Sequence, residues 1–386
     1  MSNQNQMGES AVDKGRSDRD QTRRWRVSLV TMAALLVAGA VLCLINPVSE
    51  ISLSERRKLA QFPKISWEAI VDGEWMADFE DYTLDQFPFR DAMRSIKAYV
   101  SQNIFHQKDN NDVYVVDGNV SKLEYPLNEN SVVNAAKKFN TLYEKYMAGS
   151  NVNVYVSVVP DKNYFLAEPN GYLSVDYERM MELFTENIAD HLNYIDIFPH
   201  LEIGDYYRTD SHWSQEKLTD VAMTIAGAMG AADRLSGEYE MKELSPFYGV
   251  YYGQSAMALK PDTIKYLTNA VIENCTTYNE ETGETTTVYD LDKFSNMDPY
   301  DVFLSGATPL ITITNPAGEK GKELVIFRDS FGSSLAPLLI EGYEKITLVD
   351  IRYMHSNLLP NYIEFTDQDV LFLYSTMVLN SSSMLH

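Results

Sequence analysis

Two short motifs carry the residue types of acyl-transfer chemistry: Thr209-Asp210-Ser211-His212-Trp213 and Arg328-Asp329-Ser330-Phe331-Gly332. Asp210 and His212 are two positions apart, so in an extended loop their side chains point the same way. A carboxylate so placed fixes the imidazole tautomer and stabilises the imidazolium formed when the ring takes a hydroxyl proton. Ser330 follows the apolar run Leu324-Val325-Ile326-Phe327 and opens a helical pattern. A serine at a helix N-terminus lies beside backbone N–H groups, here those of Phe331 and Gly332, that suit a developing oxyanion. Gly332 also allows a ligand to approach the backbone closely. One reading is therefore a nucleophile at Ser330, a general base at His212 and an orienting carboxylate at Asp210. Simpler readings stay open: Ser330 as a helix N-cap, His212 as a loop histidine beside a cap at Ser214, or a metal site on Asp210 and His212 for which no third ligand stands out. The other five histidines (His106, His191, His200, His355 and His386) have no comparable setting.

Two further segments bear on the same chemistry. Pro160-Asp161-Lys162-Asn163 follows a β-branched run, which carries Lys162 toward the crevice as an oxyanion or substrate contact, or else forms a charged surface turn. Tyr248-Gly249-Val250-Tyr251-Tyr252-Gly253 presents aromatic faces, with Tyr252 and Gly253 as candidate sugar contacts; tyrosine clusters equally serve packing.

The elements that must position these residues alternate. Helical patterns cover 129–149, 176–192, Ser214 to about Met229, and Phe331–Ile340. Short apolar strands cover Asn153–Val159, Tyr194–Ile197, Leu324–Phe327, Lys345–Val349 and Asp369–Tyr374. Strands alternating with helices predict a mostly parallel sheet covered on both faces, with ligands at the carboxyl ends of its strands. Val113–Val116 and the residues after Asp117-Gly118-Asn119 predict a hairpin. The polar stretch 273–292 reads as a hairpin inserted on the sheet. Trp75, Phe79, Tyr82, Phe87, Met93 and Ile96 recur at helical spacing through an entry segment broken at Pro88.

The N-terminus divides sharply. Residues 1–26 carry six basic and four acidic side chains, and Val27–Ile45 is an uncharged, mostly apolar run of 19 residues. At about 1.5 Å rise per residue such a helix spans roughly the hydrocarbon core of a bilayer. The basic cluster before it predicts a cytoplasmic N-terminus and an extracytoplasmic main domain. A cleaved signal peptide is the competing reading, opposed by the length of the run and the polar tail preceding it. The predicted organisation is a tail over 1–26, a membrane helix over 27–46, a stalk and helical entry segment over 47–110, and one α/β domain over 111–386. The net charge is −23; the tail contributes +2, so the remainder carries −25 and repels phosphate backbones, which argues against nucleic-acid binding. Cys43 lies in the apolar run and Cys275 beyond it, so the main domain has no internal disulfide. No cofactor or metal pattern stands out.

Seven ordered blocks resemble the bacterial DHHW family, itself similar to the alginate O-acetylation proteins of the SGNH-hydrolase-like superfamily. They are Ser54-Glu55-Arg56-Arg57 through Phe62-Pro63, Asp85 to Arg90, Val159 to Lys162, Tyr207 to Trp213, Asp298 to Leu304, Asp329-Ser330-Phe331, and Asp350 to Tyr353. Ser211 stands where the family's name-giving second residue is usually histidine; the alginate proteins also vary there while keeping the aspartate and the following histidine. The resemblance implies a permuted SGNH-hydrolase-like fold, because Asp210 and His212 precede Ser330. It implies catalytic roles for Ser330, His212 and Asp210, and acetyl groups supplied by a multi-pass membrane acyltransferase. The function expected is a membrane-anchored serine O-acyltransferase or esterase acting on cell-envelope glycan or exopolysaccharide. The alternative is a non-catalytic glycan-binding or scaffold protein of the envelope.

Overall fold

A computed structural model describes the backbone from residue 3 and the side chains from residue 23 to the C-terminus, so the side chains of most of the basic tail lie outside the described residues. The chain forms two compact units: one holds residues up to Ser52 and Arg57–Arg94, the other Leu53–Arg56 and Ser95–His386. The first unit contains helix α1 (Asn3–Ile45), of which Arg23–Ile45 is long and apolar enough to cross a membrane, with a mean hydropathy of 2.5. Further along the same unit, the helix Glu74–Asp85 brings Trp75, Phe79 and Tyr82 against Phe62, as the helical spacing predicts. There the Arg57 guanidinium beside Asp85 holds its carboxyl down at about 2, although partial burial opposes this.

The second unit is built on one eight-stranded sheet. Its strands are β1 (Asn153–Val159), β2 (Leu192–Tyr194), β3 (Thr276–Asn279), β4 (Thr285–Thr286), β5 (Leu310–Thr314), β6 (Glu323–Arg328), β7 (Lys345–Val349) and β8 (Asp369–Ser375). The spatial order is β4-β3-β5-β7-β6-β8-β1-β2. The five strands from β7 to β2 run parallel, and β5, β3 and β4 extend that sheet antiparallel at one side. The continuous apolar runs follow from burial on both faces. In β6, Leu324 and Ile326 enter one core while Val325 and Phe327 enter the other; β8 divides Leu371 and Leu373 from Val370 and Phe372 in the same way. Helices α2 (Glu129–Tyr146) and α3 (Tyr177–Asn187) cover one face through Val132, Phe139, Met180 and Phe184. The other face is covered by α4 (Thr219–Ala228) and α5 (Phe331–Leu339) through Val221, Ile225, Leu335 and Leu338. Phe139 stacks on Phe372 at 4.8 Å, and each such buried side chain contributes about 1.5–3 kcal/mol.

Local differences from the sequence pattern have identifiable causes. The predicted helix at Ser214 begins instead as a tight turn, Gln215–Lys217, before α4. Buried Gln215 is pinned there: its amide donates to the Ser334 carbonyl at 2.7 Å, and its oxygen accepts from the Leu267 N–H at 2.8 Å. Strand β2 lies two residues earlier than Tyr194–Ile197, since parallel pairing sets Leu192 beside Val154 and the chain turns at Asp196, whose carboxylate accepts from the Phe198 N–H. The hairpin at Asp117-Gly118 forms as predicted, both residues having positive φ (49° and 81°) as a two-residue hairpin turn requires. The polar stretch near 273–292 does form a hairpin, β3 and β4, at the sheet edge. Unforeseen are β5 and an antiparallel pair, Glu240–Phe247 with Asp262–Thr268; the first of that pair is largely exposed and lacks an alternating apolar signal.

Candidate active site

The centre of the sheet delivers Ser330. It follows the carboxyl end of β6, between β7 and β8, the crevice where parallel sheets bind ligands. Asp329 is 1% exposed and fixes the turn: one carboxylate oxygen accepts from the Phe331 N–H at 3.0 Å, the other from the N–H of Ser375, the last residue of β8, at 2.8 Å. Ser330 has helical backbone angles and its hydroxyl makes no capping bond. Its Oγ instead lies 2.7 Å from His212 Nε2.

The loop carrying His212 is closed by an isolated antiparallel bridge between Tyr206 and Trp213 and held on several sides. Asp262 accepts from the N–H groups of Arg208 (3.1 Å) and Thr209 (2.7 Å) and from the Thr209 hydroxyl. Thr209 in turn accepts, through its carbonyl, from the N–H groups of Tyr251 and Tyr252. At Gly249 a Cβ would fall 2.2 Å from the Thr209 carbonyl, so only glycine fits at this contact. Trp213 is wholly buried, edge-on to Phe331 at 5.3 Å, and its Nε1–H donates to Ser334 Oγ at 2.9 Å. Loop and helix α5 are thus clamped together, which brings the two motifs into register.

His212 Nδ1 lies 2.6 Å from Asp210 Oδ1, completing a Ser330–His212–Asp210 relay. The same Oδ1 accepts from the His212 backbone N–H at 3.1 Å; Oδ2 accepts from the Val250 N–H at 2.8 Å and faces the Arg56 guanidinium at 3.3 Å. Burial pushes the Asp210 carboxyl upward, but His212, Arg56 and the Val250 N–H outweigh it and hold the group well below the usual carboxylate range. The imidazole lies flat on Tyr300, ring centroids 3.9 Å apart and planes 7° from parallel. Tyr300 is itself fixed by its hydroxyl on Ser334 at 2.8 Å.

The other predicted contacts take different places. Phe331 and Gly332 do not offer free donors: the Phe331 N–H is bonded to Asp329 Oδ1 and the Gly332 N–H to the Asp329 carbonyl at 3.1 Å. Phe331 forms a wall beside the imidazole, and Gly332 is required because a Cβ would lie 2.7 Å from Arg328 Cβ. Among the described residues, the Ser330 N–H has no partner. Lys162 is 2% exposed, and its ammonium donates to the carbonyls of Tyr207 (2.7 Å), Arg208 (2.9 Å) and Asp210 (3.1 Å). It therefore props the loop from within, and burial pushes it down to about 7 against the pull of Asp210 and Asp262. Tyr252 lends its backbone N–H to Thr209, while Gly253 packs directly under the Ser54 carbonyl, 1.7 Å from where a Cβ would sit. Gly253 is thus explained by backbone packing. Sequence reasoning missed Arg56, Tyr300, Asp298 and Asp262. The first three lie in blocks that the resemblance marks, but nothing local shows that Tyr300 stacks on His212 or that Arg56 reaches both Asp210 and Asp298. Among the described residues, no group of three or more His, Cys, Asp or Glu side chains could hold a metal ion.

The comparisons with known proteins agree with this architecture. The DHHW protein family matches residues 175–349, a span that contains Asp210, His212 and Ser330. A DHHW family protein from Eubacterium siraeum is similar in structure, with a TM-score of 0.57 at 22% identity over 72% of this chain and 94% of its own. PatB1 of Bacillus cereus, solved with a sulfonyl adduct, has a TM-score of 0.54 at 17% identity over 69% of this chain and 97% of its own. No curated protein matches in sequence. The resemblance to the DHHW family holds, and the fold is α/β, an eight-stranded, mostly parallel sheet similar to that of these solved structures, preceded by one N-terminal apolar helix.

Proposed function

We propose that this protein is a membrane-anchored serine O-acyltransferase or esterase of cell-envelope glycan, working outside the membrane with its N-terminus in the cytoplasm. What carries the proposal is the continuous relay from Ser330 Oγ through His212 to Asp210, at 2.7 Å and 2.6 Å. Ser330 Oγ attacks the acyl carbonyl as its proton passes to His212 Nε2, and Asp210 stabilises the imidazolium. The unpartnered Ser330 N–H supplies a donor to the oxyanion. The imidazolium then protonates the leaving oxygen, and an acyl-serine remains. An incoming sugar hydroxyl, or water, gives its proton to His212 and takes the acyl group, which restores Ser330. Stacking on Tyr300 holds the imidazole plane through both half-reactions. A glycan acceptor and a multi-pass membrane protein as acyl donor are part of the proposal and rest on the resemblance of the seven sequence blocks.

The test uses the full chain in detergent with an activated acetyl ester, following acetate release and acetyl transfer to envelope glycan. Ser330→Ala and His212→Ala should each lower kcat by at least about 10³-fold. Turnover unchanged by Ser330→Ala would exclude the proposed nucleophile. Glycan binding without turnover would favour the scaffold function instead.

A further inference from the structure

We infer that Arg56, 154 positions before Asp210 in the chain, is a positioning residue of the proposed triad, acting through Asp210. The inference rests on the triad proposed above, and its own support is geometric. Asp210 divides its two oxygens: Oδ1 serves the His212 ring and backbone, and Oδ2 serves Val250 and Arg56. The guanidinium is not a loose counter-ion. Its side chain is 7% exposed, and its Nη1 pairs with Asp298 Oδ1 at 2.9 Å. Nε and Nη2 both donate to the Tyr248 carbonyl, at 3.2 Å and 2.7 Å, and the group lies over the Phe247 ring at 5.3 Å. A planar fork bound at three points holds a fixed direction toward Asp210, which a flexible ammonium cannot reproduce.

The backbone of the segment is seated with equal definition. Arg56 has φ of +51°, a left-handed conformation that a non-glycine residue adopts only when its surroundings impose it. Two residues earlier, the Ser54 carbonyl rests against Gly253, where any Cβ would collide. Leu53–Arg56 is thus a strap laid across the helix Val250–Ser255, whose first N–H also binds Asp210. The strap and that helix together immobilise the carboxylate on the side away from the imidazole. Without the guanidinium, Oδ2 keeps only the Val250 N–H, and the carboxylate can rotate off the line to His212 Nδ1.

The experiment compares full-length wild type with Arg56→Met, Arg56→Lys and Gly253→Ala, the last designed to lift the strap while retaining the arginine. Steady-state turnover of the activated acetyl ester should show kcat reduced about 10²-fold in Arg56→Met with KM little changed, as misplacement of a catalytic group produces. Arg56→Lys should recover part of the loss and Gly253→Ala should reproduce most of it. A purely structural arginine would instead lower thermal stability and leave kcat per active serine, counted by sulfonyl fluoride labelling, unchanged; that result overturns the inference. A second readout needs no turnover. In chains carrying ¹⁵N-histidine, the ring Nδ1–H resonance that vanishes in His212→Ala should shift or broaden in Arg56→Met. An unmoved resonance also overturns the inference. If the wild type turns over no ester and the resonance still shifts in Arg56→Met, the proposed activity falls while the positioning role stands.

Discussion

Replacing Asp210 by asparagine tests the relay where the structure makes the outcome most specific. Four donors converge on the carboxylate: His212 Nδ1–H and N–H on Oδ1, Val250 N–H and Arg56 on Oδ2. An amide has one accepting oxygen, so it satisfies one side only. Turning its oxygen toward His212 sets its NH₂ against a buried guanidinium and the Val250 N–H, two donors at once. Turning the NH₂ toward His212 costs less, because the ring can change tautomer and accept at Nδ1, leaving only the His212 backbone N–H unpaired. That single unmet donor costs about 1–3 kcal/mol of stability. The catalytic consequence is larger. With the proton moved to Nε2, the imidazole faces Ser330 as a donor and cannot take the hydroxyl proton. A tautomer error of this kind lowers kcat about 10⁴-fold, or about 5.5 kcal/mol in activation free energy. The assay is ester turnover beside a thermal melt on the same preparation. Asp210→Asn turning over within ten-fold of wild type, with the melt little changed, would refute the assignment of Asp210 as the group that sets the tautomer.

Two further outcomes follow from packing and charge. Trp213→Phe removes the Nε1–H bond to Ser334 and opens space under the loop, so it should cost about 2–3 kcal/mol in denaturant unfolding, and an unchanged midpoint would count against the clamp between loop and α5. Asp301 is pushed up to about 7, first by burial and then by Asp298, with Lys293, Arg56 and His212 opposing. A carboxyl whose folded pKa is raised binds its proton more tightly when folded; its contribution is complete below the ordinary value of 3.8 and is lost as pH rises through about 7. Asp301→Asn should therefore gain stability over wild type across that window and hold the gain above it; a difference in Tm that is the same at about pH 4.5 and pH 8 would contradict this.

Much of the molecule was legible in the residues themselves. The apolar run Val27–Ile45 determined a helix long enough for a membrane, because length and hydropathy act locally. The buried strands β1, β6, β7 and β8 were legible because burial on both faces leaves uninterrupted apolar runs, and Asp117-Gly118 fixed its hairpin through φ preference. The types and order of Asp210, His212 and Ser330 were legible too, since two positions of spacing suffice to set a carboxylate beside an imidazole. Only the tertiary structure decided the rest. Pairing of β6 with β8 and the Trp213 clamp set Nε2 at 2.7 Å from Ser330 across 118 positions of chain. The same long-range packing turned Lys162 inward, spent the Phe331 and Gly332 N–H groups on Asp329, and carried Arg56 to Asp210. Local preferences say which conformations a segment favours. Which distant segments meet depends on how complete sheet faces are buried together, and no single stretch of sequence contains that information.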